Sequence, residues 1–123
     1  MNTIKSINPA TGEAVGETPV STKKEVVSAV AEARKAFPTW KHTSLDDRIA
    51  LMKKFRTVLE EHVEELAELT TKEMGKPLAE ARADVTGELH FIDWYCEHVH
   101  EALDEQIIQE TDFAKYRLRY EPF

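Results

Sequence analysis

Alternation opens the chain: over residues 3–7, Ile4 and Ser6 fall on one face and Thr3, Lys5 and Ile7 on the other. Asn8-Pro9-Ala10-Thr11-Gly12-Glu13 follows, where proline fixes φ and glycine supplies φ > 0, and residues 14–18 can return as a second strand. The pattern predicts an edge hairpin. Two strands are marginal alone in water, so this hairpin needs a body to lie on. The period then changes from two to 3.6. Thr22-Lys23-Lys24-Glu25 has capping-box spacing, Val26, Val30, Ala33 and Phe37 form one stripe, and Pro38 is expected to stop the helix. Ser44-Leu45-Asp46-Asp47 opens a second helix with acids in the first turn, as the helix dipole prefers. Its stripe is Leu45, Ile49, Met52, Phe55, Leu59, Val63 and Leu66, and Gly75 and Pro77 end it and begin a third. The third stripe runs Leu78, Ala81, Val85, Leu89, Ile92, Cys96, Val99, Leu103. Residues 114–120 alternate Tyr116, Leu118 and Tyr120 against Lys115, Arg117 and Arg119, which predicts a strand with one apolar face. The expected fold class is therefore mainly α with short β segments: an N-terminal hairpin, three helices and a C-terminal strand.

The lengths strain that picture. A straight helix over residues 45–74 would be ~45 Å long. A compact chain of this size has a radius of gyration of ~14 Å, hence a diameter of roughly 35 Å. An elongated hairpin, a break in the helix or a missing remainder of the protein would each reconcile the two. The last strand has no hairpin partner after it, so the chain is expected to be cut from something larger.

Composition narrows the function. The 123 residues carry 16 Lys+Arg against 23 Asp+Glu, a net charge of −7, which argues against nucleic-acid partners. No run approaches the ~20 apolar residues of a membrane span, and the first residues lack the apolar core of a signal peptide. One cysteine gives no disulfide framework, which points to a reducing compartment and a cytoplasmic protein. The four glycines, Gly12, Gly16, Gly75 and Gly87, cannot spell a G-x-G-x-x-G or Walker loop.

Candidate chemistry is thin. Cys96 sits mid-helix in register with Leu89, Ile92 and Val99, beside Glu97, where a thiolate is disfavoured; it reads as a packed apolar side chain. Glu97 and His100 form a single E-x-x-H without the second copy that a carboxylate-bridged di-iron bundle uses, so solvated histidines are expected. The acids Glu60, Glu61, Glu64, Glu65 and Glu68 read as a solvated face, with Glu68 and Lys72 its favourable pair. Trp94 and Tyr95 read as the edge of the core. No catalytic, cofactor-binding or metal-ligating residue is assigned.

Several segments, in order, resemble NAD(P)-dependent aldehyde dehydrogenases. They are Asn8-Pro9-Ala10-Thr11-Gly12-Glu13, Ala33-Arg34-Lys35-Ala36-Phe37-Pro38-Thr39-Trp40, Glu73-Met74-Gly75-Lys76-Pro77-Leu78-Ala79-Glu80-Ala81 and Arg119-Tyr120-Glu121-Pro122-Phe123. Within that superfamily the Met-Gly-Lys-Pro wording is most similar to the succinate-semialdehyde dehydrogenase group. The resemblance covers about the first quarter of such an enzyme, and implies a truncated part of an α/β Rossmann-like fold. It implies oxidation of an aldehyde to the acid, with NAD or NADP as cofactor of the whole enzyme and none for this chain. The family's nucleophilic cysteine, general-base glutamate and cofactor-binding lysine match no position here, and Cys96 does not stand in for the nucleophile. It implies residues 1–108 as the N-terminal portion of the cofactor domain and 109–123 as the start of an oligomerisation arm, cut before the Rossmann-like sheet. Some relatives hold a structural cation at positions that align with the Ile7 carbonyl and the Glu97 carboxylate. A homo-oligomer, a dimer or larger, is expected through the Leu89, Ile92, Cys96 face of the third helix and the C-terminal strand. The alternative is a self-standing helical interaction module without activity.

Overall fold

The structure is a computed structural model and describes residues 2–121. Strands β1 (Thr3–Ile7) and β2 (Ala14–Pro19) form the expected hairpin, registered Thr3↔Pro19 through Ser6↔Gly16, with a bulge before Ile7↔Ala14. Its turn satisfies its own backbone. Asn8 N–H donates to the Glu13 carbonyl and Gly12 N–H to that of Asn8, both at 2.8 Å, and Gly12 takes φ +76°.

Helix α1 (Lys23–His42) starts at the capping box, where Glu25 Oε2 accepts from Thr22 N–H at 2.6 Å and Thr22 Oγ1 accepts from Glu25 N–H at 3.3 Å. It does not stop at Pro38 as expected, but runs through it to His42. The proline removes its own donor and crowds the Arg34 carbonyl, and the turn beyond it is held from outside. Arg48 Nη2 donates to the carbonyls of Trp40, Lys41 and Thr43 at 3.0–3.3 Å, with its guanidinium 5.1 Å above the Trp40 ring. A cation is well placed on the carbonyls of a helix end.

The long second helix is broken in two. Ser44 Oγ caps α2 (Leu45–Glu61) by accepting from Asp47 N–H at 3.0 Å, and α3 (Val63–Met74) follows after His62 alone, at φ −111°, ψ 13°. His62 Nδ1 lies 2.7 Å from the Val58 carbonyl that an α-helix would offer to the His62 backbone. That N–H turns to Leu59 instead, at 3.1 Å. The tightened turn is the break. Gly75 then closes α3 in the left-handed region at φ +73°, and a Cβ there would meet Pro9 Cγ at 2.9 Å. The helix-breaking glycine is thus also the seat of the N-terminal turn.

Helix α4 (Leu78–Leu103) returns along α3 and α2. Ala67 on α3 and Ala81 on α4 are wholly buried, and Leu89 is 4% exposed. Two alanines at the contact let the helix axes approach closely. Val85, Ile92, Cys96 and Val99 are half-buried on the same stripe. Leu89, on the face expected to meet another copy, is thus taken up inside the chain, while Leu78 and Leu103 at the ends of the stripe stay exposed. Three ion-pair groups staple this layer: Arg56 with Asp93 (Nε to both carboxylate oxygens, 3.0 and 3.1 Å) and Glu60, Arg82 with Glu64 (2.6 and 2.8 Å), and Lys76 with Asp84.

The C-terminal strand has a partner, which precedes it. Strand β3 (Gln106–Glu110) pairs antiparallel with β4 (Lys115–Leu118), shorter than the strand expected over residues 114–120. The turn is closed by Thr111 N–H to the Ala114 carbonyl at 2.8 Å. The division expected between residues 108 and 109 falls inside β3, and Pro122 and Phe123 lie outside the described residues. Among the described residues the class is as expected, mostly helical with short strands, but with four helices and two hairpins.

Candidate functional site

The residues singled out from sequence lie on β1, α2, α3 and α4. Cys96 is half-buried in the middle of α4, among the apolar stripe. Glu97 is exposed one turn before His100, whose ring turns away from it toward Asp104 and Asp46. Ile7 ends β1, a strand that packs against α3, and Glu97 lies on α4. Among the described residues, no three His, Cys, Asp or Glu side chains gather to hold a metal ion.

The histidines are more engaged than expected. His98 Nδ1 lies 2.8 Å from the Trp94 carbonyl, and its ring stacks on that of Trp94 at 4.4 Å between centroids. His62 makes the helix break. His100 joins two helices, and its pKa is raised above the ordinary value by hydrogen bonds to Asp104 first and Asp46 second. The acidic run is likewise paired beyond Glu68 with Lys72 (3.3 Å). Glu60 meets Arg56 one turn before it, a spacing legible in the sequence, whereas Glu64 meets Arg82 from the facing helix, which no local spacing signals. The Arg82 bidentate bond holds the Glu64 carboxyl below its usual range.

Trp94 and Tyr95 are more open than a core edge. They lie with Gly87, His90 and Phe91 along an apolar hollow of about 520 Å³ on the outer face of α4. A second, more polar cleft of about 260 Å³ lies where the α1–α2 turn (Thr43, Ser44), Arg48, Leu103 and Arg119 to Glu121 meet. The second is lined also by His42 and by Lys41, which pairs with Glu121 at 2.5 Å. A dinucleotide cradle needs a parallel strand, a glycine turn and a helix N-terminus. Among the described residues both sheets are two-stranded and antiparallel, and none of the four glycines joins a strand to a helix, so the described residues do not fit NAD or NADP.

What the arrangement lacks in chemistry it supplies in likeness. Residues 1–123 match the aldehyde dehydrogenase family model. The chain belongs to the aldehyde dehydrogenase family. It is 39% identical over 114 residues to a mitochondrial methylmalonate-semialdehyde/malonate-semialdehyde dehydrogenase (acylating) of Rattus norvegicus, covering 90% of this chain and 21% of that protein. It is 38% identical over 93 residues to a succinate semialdehyde dehydrogenase [NAD(P)+] of Escherichia coli, covering 76% of this chain and 20% of that protein. An oxidoreductase from Marinobacter aquaeolei superposes with a TM-score of 0.86 at 28% identity, over 97% of this chain and 25% of that one. The chain thus spans about a fifth of the length of the curated relatives it matches. The identities to malonate-type and succinate-type relatives are nearly equal, so the likeness covers semialdehyde dehydrogenases of more than one kind.

Proposed function

We propose that these 123 residues are the N-terminal part of an NAD(P)-dependent aldehyde dehydrogenase that oxidises a short semialdehyde, succinate semialdehyde among the candidates, to the acid. The observation that supports this is the family match over the whole chain, set against relatives some five times as long. On this reading the helical layer is a wall of the cofactor domain. The β3–β4 ribbon is the start of an arm that joins a neighbouring subunit in a cytoplasmic homo-oligomer. The ribbon's exposed apolar residues, Ile107, Ile108 and Tyr116, and its free strand edges suit such a role. The nucleophile, the general base and the cofactor site are supplied by sequence outside these residues, and the 123-residue chain has no turnover of its own.

The test begins with the coding DNA. A reading frame continuing past Phe123 is expressed whole and assayed for NAD- and NADP-dependent oxidation of malonate, succinate and glutarate semialdehydes, beside the 123-residue chain. Turnover by the long product alone is the expected result. Turnover by the short chain, or a long product inert with every aldehyde, sinks the proposal. A stop codon directly after Phe123 favours the interaction module instead.

A further inference from the structure

Both ring nitrogens of His100 face a carboxylate. Nδ1 lies 2.9 Å from Oδ1 of Asp104, the cap of its own helix, and Nε2 lies 3.1 Å from Oδ1 of Asp46, in the first turn of α2. An ionised carboxylate only accepts hydrogen bonds, and a neutral imidazole offers one N–H and one lone pair. Neutral His100 would therefore set a lone pair against one of the two carboxylates. Only the imidazolium, with two N–H groups, satisfies both.

We propose that His100 is a pH-dependent clamp between the end of α4 and the start of α2, closed as the imidazolium and opened by loss of its proton. The contact that opens is the one to Asp46. Asp104 is four residues along the same helix, and its backbone N–H is fixed on the His100 carbonyl at 3.0 Å. Asp46 comes from another helix and its side chain is 85% exposed, so water replaces the imidazole at little cost. The charged groups bearing on His100 among the described residues are these two acids; Asp47, next to Asp46, is turned to the Ser44 hydroxyl.

The position gives the clamp its consequence. Two residues after Asp104 the β3–β4 ribbon begins, and two residues before Asp46 lies Ser44, where the chain leaves α1. Helix α1 has no buried residue and the ribbon is exposed throughout, so the joints at their roots decide where they point. A histidine whose folded pKa is raised contributes most below the unfolded value of about 6.5, and the contribution is lost as pH rises through the folded one. As pH rises through the folded pKa the clamp thus passes from closed to open, loosening the first turn of α2, and the end of α1 that Arg48 ties to that helix, from the end of α4 and the root of the ribbon.

Long-range proton–nitrogen correlation of the imidazole reads the protonation of each ring nitrogen directly. Titrations of wild type, Asp46→Asn and Asp104→Asn are paired with amide exchange over the first turn of α2. Wild type is expected to hold N–H at both nitrogens in mild acid and to titrate above about 6.5. The midpoint is expected to move down in each variant. After correction for intrinsic rates, exchange in the first turn of α2 rises through that midpoint in wild type and stays flat with pH in His100→Gln. A wild-type midpoint at or below the ordinary value, one unmoved by Asp46→Asn, or equal exchange profiles in wild type and His100→Gln overturns the clamp.

Discussion

Replacing Gly75 by alanine tests how the N-terminal turn is held on the helices. Two penalties add at this position. An L-residue forced to φ +73° bears a left-handed strain of ~1–2 kcal/mol. The new Cβ would also lie 2.9 Å from Pro9 Cγ, part of a rigid ring, and overpacking of that kind costs ~1–3 kcal/mol. Alanine restricts the unfolded chain, which offsets ~0.4–1 kcal/mol. The net expectation for Gly75→Ala is a loss of about 2–3 kcal/mol, or a urea midpoint lower by about 1–2 M at the usual slope for a small domain. Helical circular dichroism during urea unfolding is the assay. Pro9→Ala separates the two causes, because it removes Cγ but leaves the left-handed strain. In that background Gly75→Ala should cost only about 1 kcal/mol. A cost under about 0.5 kcal/mol in the wild-type background would refute the strain argument. An equal cost in both backgrounds would refute the seating of Pro9 on Gly75.

Leu89→Ala empties the most buried large side chain of the contact between α4 and its neighbours, and should cost about 2–3 kcal/mol, near the low end for Leu→Ala because an open layer can close over the gap; urea unfolding measures it. Arg82→Lys keeps the charge but loses the bidentate geometry to Glu64, so the urea midpoint should fall, whereas Lys72→Ala, which breaks an exposed pair, should leave it nearly unchanged. The carboxyls of Glu64 and Glu25 are held low, by Arg82 and by the Thr22 cap respectively, so their stabilisation is present above the unfolded value and lost as pH falls through the folded ones. Acid unfolding monitored by circular dichroism should therefore begin at higher pH in Arg82→Ala and in Thr22→Ala than in wild type.

What was legible in the sequence was what neighbouring residues decide among themselves. The first hairpin follows from alternation and a turn dense in Asn, Pro and Gly, and the start of α1 from Thr22 and Glu25. The end of α1 was not legible, because Arg48, on the next helix, holds the turn beyond Pro38. Nor was the break at His62, which involves neither glycine nor proline but an imidazole on a carbonyl. Strand β3 escaped notice because Ile107 and Ile108 are adjacent and give no period-two pattern; the strand exists through its pairing with β4. The third-helix stripe was read correctly as a stripe, but periodicity does not say what lies against it. Here that is α2 and α3 of the same chain. The His100 clamp joins residues 54 apart, and no spacing rule reaches that far.

The same layer explains why the chain reveals a family and no chemistry. A compact globule of its mass would expose about 6,700 Å². This chain exposes 10043 Å², an excess of roughly 3,300 Å² over that scaling. The excess is not spread evenly. Val26, Val27 and Val30 stand open on α1, Leu51, Phe55 and Val58 on α2, Phe91, Trp94 and Tyr95 on the outer face of α4, and Ile107, Ile108 and Tyr116 on the ribbon, while Ala67, Ala81 and Leu89 are buried between α3 and α4. A standard interface covers about 800 Å² per partner, so a single partner of ordinary contact size would leave most of the excess in water. Separate apolar faces around a buried helical contact are what a wall needs when other layers of one polypeptide are to pack on it. That is the physical counterpart of a chain spanning about a fifth of its relatives' length, and it is why a resemblance carried by Gly75 and its neighbours identified the family when side-chain chemistry could not.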